Sequence, residues 1–120
     1  MKNDKSEALK MIMAIVQRGK ADNIVSAAIK SGAPAATVSF GRGRGIRERL
    51  GVLGLAIQPE KEIIMIIAEE WLVDQVITGM VKAGNLDQPG IGFVFVVPVE
   101  RALGMLETKE VEHMVKEKVK

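Results

Sequence analysis

The chain has 120 residues and a mass of 13.0 kDa, enough for one domain with a modest core but not for two. Its 17 basic residues against 15 acidic ones leave a net charge of +2, too even a balance to argue for a nucleic-acid partner. There is no cysteine, which excludes disulfides, thiol chemistry and a Cys-based zinc site.

Hydrophobic content is 48%, yet Tyr is absent, Trp occurs once and Phe three times, so the core has to be built from Val, Ile, Leu, Ala and Met. The longest apolar run, 63–68, is far short of the roughly 20 residues of a membrane span. The N-terminus carries no apolar segment followed by a cleavage site. These features predict a soluble, cytoplasmic protein.

In chain order, residues 1–7 are polar and 9–16 form an apolar, partly β-branched run of strand length. From Asp22 the spacing turns helical, with Ile24, Val25, Ala28 and Ile29 on one side, Gly32 as a C-terminal signal and Pro34 beyond it. Residues 35–40 form a second strand. It leads into an arm with alternating Gly41, Gly43 and Gly45, then Arg42, Arg44, Arg47 and Arg49, and it ends at Gln58 and Pro59. A third strand spans 62–68. A helix follows with Glu69 and Glu70 in its first turn and a stripe of Leu72, Val73, Val76, Ile77, Met80 and Val81. Gly84 closes that helix, 85–92 is a Gly/Pro loop, and 93–97 is a strand halted by Pro98.

A shift of 52 positions, the distance from Asp22 to Asp74, lays Ile12 on Ile64, Met13 on Met65, Ile15 on Ile67, Lys30 on Lys82 and Gly32 on Gly84. One offset that matches strand, helix start and helix end argues for a βαβ unit used twice. The predicted fold is therefore α+β and ferredoxin-like, βαββαβ: an antiparallel four-stranded sheet with two helices on one face and a long arm between strands 2 and 3. The chain reads as a single domain over 1–120, with a core at 9–104 and a C-terminal tail at 105–120. Strand 63–68 is apolar at every position instead of alternating, which requires both faces to be buried. Helices cover only one face, so copies of the same sheet are the simplest cover for the other, and an obligate homo-oligomer is expected.

The arm concentrates the chemistry. Alternating glycines free successive backbone N–H groups to point one way, and arginines supply bidentate donors for phosphate or carboxylate. The glycines fail as a dinucleotide fingerprint, because the third comes one residue early and no apolar-faced helix follows. An RNA-binding arm would need more repeats and more stacking aromatics than Phe40 alone. The bland alternative is a solvated loop. However, the arm exceeds the roughly 12–15 residues usual for structureless loops in compact domains, and its tip, 50–57, is apolar. That combination suits a segment that docks into a partner. The loop between Gly84 and Gly92 is either an ordinary helix-to-strand connection or a backbone cradle for a phosphate. Glu69 and Glu70 read as first-turn charges favoured by the helix dipole, Asp22 and Asp74 as helix-start residues, and the seven methionines as core filler. Trp71 reads as a packing or interface residue, and His113 as part of a charged tail. Nothing assembles an acid, a base and a nucleophile, so no catalytic residue and no metal ligand is assigned.

Two motifs carry a resemblance. Ser39-Phe-Gly-Arg-Gly43 resembles the base of the T-loop in P-II signal-transduction proteins, and Phe95-Val-Val-Pro-Val-Glu100 resembles their last core strand. The order of elements over roughly 9–104 is similar too. The resemblance implies a cytoplasmic homotrimer that binds an adenine nucleotide (ATP, ADP or AMP) between subunits, requires no other cofactor, and regulates a membrane transporter or metabolic enzyme, commonly in nitrogen metabolism. Carried over by position, the effector would lie beside Phe40, Gly41, Arg42, Gly43 and Arg44 at the T-loop base. It would also contact Gly84, Asn85, Leu86, Gly90 and Gly92 in the loop that faces the phosphates, with Arg101 as a further cation. Arg47, Arg49, Leu50, Val52, Leu53 and Leu55 would dock on the target. The chain departs from the family pattern at three points. It has no tyrosine for uridylylation, no lysine in loop 85–92, and Gly104-Met-Leu-Glu-Thr108 where the family carries an arginine-rich stretch. The alternative of the same architecture is a trimeric protein of the CutA type linked to divalent-metal tolerance, for which no ligand cluster is present.

Overall fold

The structure, a computed structural model, describes residues 8–43 and 60–105. The described elements are β1 (Leu9–Gln17), α1 (Ala21–Lys30), β2 (Thr37–Arg42), β3 (Glu60–Glu69), α2 (Glu70–Gly84) and β4 (Gly92–Val99). The strands form one sheet in the order β2-β3-β1-β4, with antiparallel pairing throughout. Each helix crosses over one intervening strand, so the doubled βαβ plan closes as the ferredoxin-like fold that the repeat predicts.

The continuous apolar runs resolve into two faces, because side chains alternate along a strand. Ile12, Ala14 and Val16 of β1 and Ile64, Ile66 and Ala68 of β3 point to the helices and are buried. They pack with Ile24 and Ala28 of α1 and with Leu72, Val76 and Met80 of α2. Each fully buried Ile or Val contributes about 1.5–3 kcal/mol relative to exposure. The opposite face carries Met11, Met13 and Ile15, which stand across from Ile67, Met65 and Ile63 on β3 and from Val97, Phe95 and Phe93 on β4. No helix of the described chain covers this face, and Phe93, stacked on Phe95 at a ring separation of 5.9 Å, is 54% exposed.

The helices approach closely. At Gly79 of α2 an added Cβ would run into Ser31 Oγ and lie 3.2 Å from the Ala27 carbonyl, and Gln75 Nε2 donates to the Ser31 carbonyl at 2.6 Å. The Glu70 N–H donates to the Ala8 carbonyl at 2.9 Å, tying the start of α2 to the start of β1.

Three local expectations change. β2 continues to Arg42, so Gly41 and Arg42 are strand residues rather than the first of the arm; Lys61 and Glu60 of β3 supply their ladder partners. Asp74 lies inside α2, four residues after its first residue, Glu70, which is the first-turn acid, so Asp74 is not a helix-start residue. The 52-residue shift carries the start of α1 at Ala21 to position 73, three positions past the start of α2. Gly84 is the last residue of α2, and Asn85 takes the left-handed cap at φ 53°. A Cβ on Gly84 would meet Ile24 Cδ1 at 2.7 Å, so packing against α1, not backbone freedom, selects glycine there.

Gly92 is restricted in the same way, because an added Cβ would sit 2.8 Å from the Ile15 carbonyl oxygen, which belongs to a central strand and has no room to yield. Gly92→Ala is expected to lower stability by about 1–3 kcal/mol, whereas Gln88→Ala, at an exposed position in the preceding loop, should stay within about 0.5 kcal/mol. Urea denaturation of the two variants measures the difference.

Candidate functional site

β1 and β2 run toward the same end of the sheet, and β3 and β4 start from it. Four segments therefore meet at that end: the last residues of β2 with Gly43, the first residues of β3, the turn 18–20 after β1, and the loop 85–91 before β4. The register places Arg42 opposite Glu60, Gln17 opposite Lys61 and Val16 opposite Gly92.

On the β2 side, Phe40 pairs with Glu62 and is 73% exposed, an unusual placement for a large aromatic on an edge strand. Gly41 lies over Ile63, whose Cδ1 would be 3.0 Å from an added Cβ, and Gly43 lies along the Lys61 stem, with Cγ at 3.4 Å. Arg42 is exposed. The strand thus delivers an aromatic face and a guanidinium to the rim of the sheet, with small residues between them.

Glu62 holds this end together. Its Oε1 accepts hydrogen bonds from the Gly19 N–H at 2.7 Å and the Ala21 N–H at 3.0 Å. α1 has no side-chain cap of its own, because the preceding residue, Lys20, has no acceptor. A carboxylate reaching across from β3 supplies the acceptor and places its charge at the positive end of the helix dipole. Sequence reasoning missed this residue. Its partners are 43 and 41 positions away, so no local pattern announces the contact.

On the β4 side, the loop 85–91 is wound on itself. The Leu86 N–H donates to the Val81 carbonyl at 3.1 Å, the Gln88 N–H to the Asn85 carbonyl at 3.1 Å and the Ile91 N–H to the Gln88 carbonyl at 3.4 Å. Leu86 packs against the core, Gly90 takes φ 83° to complete the turn, and Asp87 is exposed.

These two halves occupy the same end of the sheet but opposite edges, because β3 and β1 stand between β2 and β4. At about 4.8 Å per strand spacing they are about 14 Å apart. Arg101 follows β4 at the far end, since Val99 pairs with Leu9, about 26 Å along the strand from the loop at ~3.3 Å per residue. One chain therefore brings Phe40, Gly41, Arg42 and Gly43 together, and Gly84, Asn85, Leu86, Gly90 and Gly92 together, but does not join the groups. Arg44, Arg47, Arg49, Leu50, Val52, Leu53 and Leu55 lie outside the described residues, as does His113. Among the described residues no group of three His, Cys, Asp or Glu side chains could hold a metal ion, and no helix is long and apolar enough to cross a membrane.

The family model described as "Nitrogen regulatory protein P-II" matches residues 9–109. A protein of Methanococcus maripaludis named "Nitrogen fixation nifHD region glnB-like protein 1" is 30% identical over 95 residues, covering 78% of this chain and 90% of the relative. A protein of the same name from a named strain of that organism is likewise 30% identical over 95 residues. Among solved structures, that of Arabidopsis thaliana PII bound to citrate superimposes with a TM-score of 0.59 at 26% identity, covering 78% of each chain.

Removing the remote cap tests how far this end of the sheet depends on it. Glu62→Ala should cost about 1–2 kcal/mol in thermal denaturation, the usual loss for an N-cap. Glu62→Gln keeps an acceptor oxygen and should recover part of that loss.

Proposed function

The chain belongs to the nitrogen regulatory protein P-II family, and on that premise we propose that it is a non-enzymatic signal-transduction protein of the cytoplasm. It works as a homotrimer, binds a small effector between subunits and presents the arm 43–57 to a target. The observation behind this reading is the split site. Two groups of residues suited to a ligand sit at one level of the sheet but on opposite edges. In a ring assembled by a head-to-tail contact, unlike edges of neighbouring copies meet, so the β2 edge of one subunit can complete the β4 edge of the next. The uncovered face of Met11, Met13, Ile15, Ile63, Met65 and Phe95 supports the same assembly, because an apolar surface of that extent needs a partner.

In this reading the effector is an adenine nucleotide. Phe40 offers a face for the base, and Arg42 and Arg44 offer charge for the rest of the molecule. Occupation at the arm's base changes how Arg47, Arg49, Leu50, Val52, Leu53 and Leu55 are offered to the target, a membrane transporter or a metabolic enzyme. The name of the Methanococcus relative, a glnB-like protein of a nitrogen-fixation gene region, favours nitrogen supply as the signal. No covalent control by tyrosine uridylylation applies, because the chain contains no tyrosine.

Two measurements test the assembly and the site. Light scattering after size exclusion should give about 39 kDa, three times the 13.0 kDa chain, and Met13→Asp on the uncovered face should shift the protein to monomer or aggregate. A saturating adenine nucleotide should raise the melting temperature, since ligand at 100 times its Kd contributes about 2.7 kcal/mol. The double variant Arg42→Ala, Arg44→Ala should lose that shift while remaining trimeric. A wild-type melt unmoved by every adenine nucleotide would remove the effector part of the proposal.

A further inference from the structure

The loop 85–91 is the half of the proposed effector site that would have to carry phosphate, and its construction opposes that role. A polyphosphate cradle needs several N–H groups converging on one point, usually at a helix N-terminus, with cationic side chains beside them. This loop follows the C-terminal end of α2, where the helix dipole is negative. Three of its N–H groups, on Leu86, Gln88 and Ile91, are engaged by the carbonyls of Val81, Asn85 and Gln88, and Pro89 has none. The N–H groups of Asp87 and Gly90 are separated by Gln88 and Pro89. Asp87 adds an exposed carboxylate, and the sequence contains no lysine or arginine from 83 to 100. Gly84 and Gly92, which would otherwise permit a ligand's close approach, are filled against Ile24 and the Ile15 carbonyl. Across the sheet, the cations Arg42 on β2 and Lys61 on β3 lie on the β2 side.

We infer that the site selects an adenine nucleotide with a single phosphate, such as AMP, over ADP and ATP. This rests on the effector reading given above and sharpens it. The adenosine part is held on the β2 side, where Phe40 and Arg42 project, and one phosphate is accommodated there. Each further phosphate would extend toward Asp87 and the negative end of α2 on the neighbouring copy, so it would be repelled where a phosphate-gripping loop attracts it. Asp87 acts here as a specificity-determining residue.

Isothermal titration of the full-length trimer with AMP, ADP and ATP, without magnesium, tests this. AMP should bind on the order of tenfold or more tighter than ATP, with ADP between, since one charge-assisted hydrogen bond to phosphate changes binding by about that factor. Asp87→Lys should narrow or reverse the AMP preference by strengthening ATP more than AMP, with the trimer still in place. ATP binding as tightly as AMP, or an AMP-to-ATP ratio unmoved by Asp87→Lys, overturns the selectivity and leaves the nucleotide reading standing. No heat with any of the three overturns both.

Discussion

The central strands, apolar on both faces, constrain the rest of this molecule. Residues 11–16 of β1 and 63–68 of β3 are apolar at every position, and the described residues include two helices with which to cover them. Those helices lie side by side on one face, close enough that Gly79 has no space for a methyl group against Ser31. They seal Ile12, Ile64 and Ile66 almost completely. A comparable set of side chains faces the other way, and among the described residues no helix covers it. That open apolar face is what the proposed association would bury.

That demand and the division of the site have one geometric origin. An antiparallel sheet in which each helix skips one strand puts β2 and β4 at the two edges, both with an end at the same rim. Residues that a ligand would need are then held about 14 Å apart in one chain. In the proposed ring, association that buries the open face also brings unlike edges together between copies, so assembly and site formation become one event. The arrangement suits a regulator. In that proposal a ligand seated between subunits would touch the root of the arm on one and the α2–β4 loop on the other.

The rim itself is fastened by side chains and backbone. Glu62 joins β3 to the start of α1, and the loop 85–91 is closed by three backbone hydrogen bonds and the packing of Leu86. A loop stabilised internally can hold its shape without ligand, but the N–H groups of Leu86, Gln88 and Ile91 are no longer available to an anion. Where the P-II pattern carries lysines in a phosphate-facing loop, this chain carries none from 85 to 92.

The fold class is legible in the order of residues alone, because hydrophobic period and the 52-residue repeat are local properties that survive without tertiary information. The strand, helix and loop order follows from them, as does the expectation of an oligomer, which is written in strands without alternation. The family is legible in two short motifs, at the end of β2 and the end of β4. How far β2 runs depends on the folded sheet, because Gly41 and Arg42 become strand residues through their ladder partners on β3. The folded chain likewise assigns Gly84 and Gly92 to packing, since Ile24 and the Ile15 carbonyl approach them from distant parts of the sequence. It also reveals Glu62, whose acceptor oxygen serves N–H groups more than forty residues away. Contacts between segments far apart in sequence leave no period or spacing to read, and at this rim they decide which backbone groups remain for a ligand.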